Sequence, residues 1–154
     1  MRTKLVSALV TIGLLAAAGF AAVSARRLGP QPPPSGPLAD ALGDRVVKLM
    51  ETSFREAVSG RAEPVRCAAR PFGARPENLS RAAQATTIYA WVFCRAERTG
   101  RTLHTPVAVR LDGEPALRMP EKGPADERSV RRVFPADVRD NLRATRHDDL
   151  ATAV

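Results

Sequence analysis

The sequence predicts an α+β fold: one long N-terminal helix packed on a small antiparallel sheet of three or four strands in a meander, followed by a short C-terminal helix. Three observations predict it. Apolar residues recur at steps of three and four from Leu38 to Ser59. Two stretches further on, TTIYAWVFCRAE (Thr86 to Glu97) and TLHTPVAVRL (Thr102 to Leu111), are rich in β-branched and aromatic residues. Between and after them, Thr99-Gly100-Arg101 and Asp112-Gly113 supply hairpin turns.

The helix comes first. Leu38, Leu42, Val46, Leu49, Met50, Phe54, Ala57 and Val58 fall along one stripe, which needs an apolar surface to cover. Pro37 suits the first helical turn, Asp40 and Asp44 lie near its positive end, and Gly60 is a stop. Lys48 follows Asp44 by four and Arg55 follows Glu51 by four, so the outer face is charged.

A short strand is expected over PVRCAA, Pro64 to Ala69, and a loop over PFGARPENLS because of Pro71, Gly73 and Pro76. In the next strand Ile88, Ala90, Val92 and Cys94 point one way and Tyr89, Trp91 and Phe93 the other. Both faces are apolar, as in a central strand covered on two sides. Leu103, Thr105, Val107, Val109 and Leu111 share a face of the following strand, where Pro106 favours an edge or bulge. A shorter strand over Ala116 to Met119, a loop over PEKGPADE and a helix from Pro135, with Val138 and Leu142 inward, complete the domain. Helix-then-meander is the order of cystatin-like folds, an analogy of architecture that implies no inhibitor activity.

The N-terminus sets the address. Arg2 and Lys4 precede an uncharged run from Leu5 to Val23, and Val23-Ser24-Ala25 provides small residues for a signal peptidase. As a helix that run reaches roughly 28 Å, close to the hydrocarbon thickness of a bilayer. Residues 1–25 therefore read as a signal peptide or an N-terminal membrane anchor. Either way the remainder is extracytoplasmic, secreted or anchored to the cell membrane by residues 5–23. Residues 26–37 carry Pro30, Pro32, Pro33, Pro34 and Pro37 and read as a semi-rigid spacer. The α+β domain then spans 38–143, and 144–154 reads as a flexible tail.

The formal net charge of +8 invites a nucleic-acid reading. Pattern argues against it: the longest basic runs are the pairs Arg26-Arg27 and Arg131-Arg132, and acids are interleaved throughout. Of the basic residues, 21 are Arg and three are Lys, a bias shared with abundant Ala and Pro and typical of codon usage. A nucleic-acid partner is not expected.

Cys67 and Cys94 are the only thiols, an even number in a chain that reads as exported. A bridge between them closes a loop of about 28 residues, for which chain entropy gives roughly 3 to 4 kcal/mol. A metal pair needs further ligands, and with His104 and His147 the only histidines no Cys/His cluster assembles in the sequence. Neither a cofactor nor a metal is expected.

Chemistry is otherwise sparse. There is no G-x-S-x-G elbow, no phosphate-binding glycine loop, no H-E-x-x-H and no C-x-x-C. His104 is the first suspect for a general base but has no committed Ser or carboxylate. HDDL, His147 to Leu150, offers adjacent ligating types that converge poorly on one ion. Tyr89, Trp91 and Phe93 belong to the core, and become a candidate ligand face if little covers them.

Taken together, the apolar leader, the Pro-rich spacer, VRC, IYAWVFC and VFPADV resemble small exported proteins of unknown function from high-G+C Gram-positive (actinobacterial) lineages. The resemblance spans most of residues 65–140. It implies an extracytoplasmic setting and brings no catalytic signature. The sequence thus reads as a secreted or membrane-anchored, non-catalytic binding or cell-envelope module with an unidentified envelope or protein partner. The alternative is a small extracytoplasmic hydrolase whose residues converge only in three dimensions.

Overall fold

The computed structural model describes residues 30–59 and 63–154. The leader over 1–25, the first residues of the spacer and Gly60 as a helix stop lie outside the described residues. Among those described, no helix is long and apolar enough to cross a membrane.

The chain runs α1 (Gly36–Ser59), β1 (Val65–Arg75), a 3-10 turn (Ala82–Gln84), β2 (Thr87–Ala96), β3 (Thr102–Arg110), β4 (Ala116–Arg118), α2 (Glu127–Val133), α3 (Ala136–Ala144) and a C-terminal 3-10 helix (Asp148–Ala153). The four strands form one antiparallel meander in the order β1-β2-β3-β4. This is the α+β architecture read from the sequence.

Helix α1 covers one sheet face. Leu42, Val46 and Met50, each four apart, are fully buried, and meet Ile88, Ala90, Val92, Cys94, Val107 and Val109. Leu38, Leu49 and Phe54 pack at the margin. Ala57, assigned to the stripe, is exposed, because the helix has run past the sheet by its last turn. Gly43 allows a close crossing: a Cβ there would sit 3.4 Å from the Ala69 carbonyl oxygen.

Strand β1 is longer than expected. The loop assigned to PFGARPENLS begins only after Arg75, and Pro71 to Arg75 extend the ladder to Thr87. Two circumstances admit Pro71: β1 is an edge strand, and the register shifts between Pro71 and Gly73. Between them Phe72 is driven into the interior and fully buried. Gly73 is needed for space. A Cβ there would lie 2.9 Å from Val138 Cγ1 and 3.2 Å from Tyr89 Cδ2. Pro106 lies in β3 opposite Trp91, and β4 pairs only with residues 108–110, so the proline meets an unpaired edge.

The second face carries its own core: Phe72, Tyr89, Trp91, Ala108, Val130, Phe134, Val138, Leu142 and Leu150. Three elements cover it. Helix α3 is the one expected from Pro135. Helix α2 replaces the end of the expected PEKGPADE loop: Asp126 caps it by accepting the Ser129 N–H at 2.7 Å, and Val130 and Phe134 bury one face. The C-terminal 3-10 helix corrects the reading of 144–154 as a flexible tail, since Leu150 is buried against the sheet.

The proline segment is tied down as well. Gln31 is buried; its Nε2 donates to Ala74 O at 2.8 Å, its Oε1 accepts from Arg75 at 2.9 Å, and its N–H donates to Asp137 O at 3.2 Å. Asn141 Nδ2 donates to both Gln31 O and Phe72 O. The stretch 26–37 read as a semi-rigid spacer therefore joins the folded unit at Gln31.

Candidate functional site

Cys67 and Cys94 face each other across β1 and β2 and form a disulfide, S–S 2.03 Å. Their register follows from the ladder, which sets Cys67 opposite Cys94 and Arg70 opposite Trp91. Cys67 N–H points away from β2 and donates to Glu51 Oε1 of α1 at 3.2 Å, so helix, edge strand and bridge meet at one place.

Beside that junction lies a groove of about 730 Å³ between the first turns of α1, the proline segment and the edge of β1. Pro33, Pro34, Gly43, Ala69 and Pro71 give it apolar walls, Asp40 and Asp44 line its helix side, and Arg70, whose guanidinium is engaged by Asp149, lines its strand side.

The three aromatic residues of β2 are not an open surface. Tyr89 and Trp91 are buried, and Phe93 is half-buried. Tyr89 sits among Phe72 and Phe134, with ring centroids at 6.4 and 6.1 Å, and the Arg75 guanidinium lies 5.9 Å from its ring centre. Burial pushes the Tyr89 hydroxyl up from its ordinary value, with Arg75 pulling the other way. Arg75 is itself held by Asp137 at 2.5 Å and Glu77 at 3.4 Å.

Trp91 is where the structure gathers polar chemistry. Its Nε1–H donates to Leu142 O of α3 at 2.9 Å. The His147 ring stacks on the indole, centroids 3.6 Å apart and planes 15° from parallel. His104, opposite Phe93 in the ladder, stands edge-on to Phe93 at 5.8 Å and tilted to Trp91 at 5.6 Å. His104 Nε2 and His147 Nδ1 are 3.1 Å apart, a hydrogen bond between two imidazoles. The two histidines, 43 residues apart in sequence, thus meet over the one tryptophan.

Electrostatics at the pair favour the neutral state of His104. Burial holds its pKa below the ordinary value, His147 adds to this, and Asp148 opposes it. Next to the pair, Arg70 of β1 grips the Asp149 carboxylate with both guanidinium nitrogens, at 2.8 and 2.9 Å, and donates to Arg146 O at 2.9 Å. That double hydrogen bond draws the Asp149 carboxyl below its usual range.

HDDL is accordingly split among three partners. His147 meets Trp91 and His104, Asp149 meets Arg70, and Asp148 is 97% exposed. No group of three or more His, Cys, Asp and Glu side chains arranged to hold a metal occurs among the described residues.

No family model, curated protein or solved structure matches the chain. Its chemistry is read from its own residues. The disulfide and the aromatic alternation were legible in the sequence. The His104–His147 contact and the Arg70–Asp149 pair were not, because both depend on the last ten residues folding back. One signal was present: Leu150 is the apolar residue among HDDL, placed where a terminal segment can anchor.

Proposed function

We propose that this chain is an extracytoplasmic binding module without catalytic activity, secreted or held at the membrane by residues 5–23. The Cys67–Cys94 bridge is the observation that carries the reading, since such bonds persist in oxidising compartments and stiffen small domains. The charged start, apolar run and small-residue end of the leader agree with it.

The partner surface we assign is the groove between α1 and the edge of β1, with Asp40 and Asp44 on its rim. It takes the place of the Tyr89, Trp91 and Phe93 face, which α2, α3 and the C-terminal 3-10 helix cover in this conformation. Its occupant is an envelope or protein segment bearing positive charge. A hydrolase centred on His104 has weaker support, because the group bonded to its Nε2 is another imidazole rather than a Ser or carboxylate.

Separating cells into cytosol, membrane and medium, and sequencing the protein's N-terminus, tests the address. Recovery in the medium starting near Arg26, or in the membrane with Met1 intact, is expected. Recovery in the cytosol with two free thiols contradicts the reading. For the groove, a photo-crosslinker in place of Ala39, which lines it, is expected to capture one envelope partner, and the same chain carrying Asp40→Lys and Asp44→Lys to lose it while folding normally. Equal capture by that variant removes the groove from the proposal.

A further inference from the structure

We propose that the His104–His147 contact is a proton-operated latch: when both imidazoles are protonated, residues 145–154 lift from the sheet and uncover Trp91 and Phe93. Two imidazole nitrogens 3.1 Å apart attract only while a lone pair remains between them. With both rings neutral, one N–H donates to the other ring's nitrogen. With a single extra proton the contact persists as N–H⁺···N. With both rings charged, two donors and two positive charges confront each other, and the contact turns repulsive. Only the doubly protonated pair is repulsive, so the second proton is the one that opens it.

The surroundings direct that proton's effect. From β2 the pair meets the uncharged rings of Trp91 and Phe93. On the C-terminal segment, Asp148 Oδ1 lies 3.8 Å from His147 Nδ1 and is almost wholly in solvent, so it screens the charge weakly. Arg146 and Asp149 lie on the same segment, and from β1 the Arg70 guanidinium is engaged by the Asp149 carboxylate. Among the described residues, Asp148 is the carboxylate that acts on His104, and it opposes the lowering of its pKa.

The sign follows from the depressed value of His104. The closed form binds fewer protons than the open one, so closure is at full strength above about pH 6.5, the ordinary histidine value, and weakens as pH falls through the range below it. One proton taken up per opening weakens closure about tenfold per pH unit. The Asp149 carboxyl is held below its usual range by Arg70, so it stays ionised through the histidine range: opening there parts a charged Arg70–Asp149 pair and is not driven by protonation of that carboxylate.

The geometry also fixes what opening uncovers. Trp91 is anchored through Leu142 O, on α3 and outside the released segment. The indole therefore stays in place when His147 leaves its face. Leu150 leaves with the segment, so acid converts a closed core face into an exposed aromatic surface.

Trp91 is the only tryptophan, so acrylamide quenching of the full-length chain reads the event directly. Between about pH 7.5 and pH 5, across the histidine range, quenching is expected to rise several-fold at unchanged far-ultraviolet circular dichroism. Over the same interval, hydrogen exchange at 147–153, corrected for intrinsic rates, is expected to accelerate while that of Ile88 to Cys94 does not. His104→Gln, whose amide bonds His147 without titrating, is expected to keep quenching low at both ends, and His147→Gln to abolish the pH dependence from the other side. Quenching that stays flat in the unmodified chain overturns the latch, as does an equal rise in both variants. A rise confined to pH values at which Asp149 protonates assigns closure to the carboxylate pair and likewise overturns it.

Discussion

Trp91 ties the sheet to the C-terminal elements that cover its second face. It fills the second core, donates to α3 through Nε1 and carries His147 on its face. Replacing it by Ala removes a buried aromatic and leaves Leu142 O without its donor, which is expected to cost about 3 to 5 kcal/mol of stability. Urea unfolding followed by circular dichroism measures this; a loss under 1 kcal/mol contradicts the burial described. Gly73 makes a second test, because a methyl group there meets Val138 at 2.9 Å. Gly73→Ala is expected to destabilise by about 1 to 3 kcal/mol and to be partly rescued by Val138→Ala, a coupling that a double-mutant cycle reads. The alternation of Tyr89, Trp91 and Phe93 against Ile88, Val92 and Cys94 was legible because strand periodicity is strict. Whether the aromatic side was covered was not, since that depends on elements more than 30 residues away.

Among the elements, local patterns and distant docking part company. The stripe of helix α1 is legible through Phe54, and β2, β3 and α3 are legible to within a residue or two of their ends. Strand β1 was cut short in the reading because Pro71 and Gly73 are turn residues by composition. The edge position and bulge that accommodate them are properties of the assembled sheet. The segment 144–154 reads as a tail from the sequence; Ala144 instead ends α3, and the order of 145–154 comes from Leu150, Arg70–Asp149 and the imidazole pair. At this scale Asn141→Ala is expected to loosen the proline segment, because Asn141 holds both Gln31 O and Phe72 O while the other bonds of Gln31 remain. The loss should be about 1 to 3 kcal/mol, with proteolysis appearing near Gln31; cleavage unchanged from the native chain contradicts it. The β2–β3 turn offers a pH test. Glu63 accepts the Thr99 and Arg98 N–H groups at 2.6 and 2.7 Å, and these bonds, led by Thr99, draw its pKa below the ordinary value. A carboxylate lowered in the folded state stabilises above its unfolded pKa and loses that contribution as pH falls through the folded value. Hydrogen exchange at Arg98 and Thr99 is therefore expected to rise in acid below the histidine range, and Glu63→Gln to reduce that dependence.

Over the described residues the molecule is a sheet closed on two sides by unequal layers: one long helix on the first face, three short elements on the second. The long helix and its sheet account for the fold class, and the short elements decide whether the aromatic face is core or surface. The bridge between β1 and β2 fastens the edge strand, which α1 reaches through Glu51 and Gly43. Closing a loop of this length contributes roughly 3 to 4 kcal/mol, a large share of a small domain's stability. Reduction is expected to lower the melting temperature by about 10 to 20 °C, given roughly 3 to 5 °C per kcal/mol for a domain between the small and large size classes. The most direct measurement of the central claim is the thiol count of protein recovered from cells without reductant, by alkylation and intact-mass spectrometry. An oxidised domain fastened by Cys67–Cys94 predicts no alkylated cysteine before reduction and two after it, whereas two alkylated cysteines at the outset contradict both the bond and the compartment inferred from it.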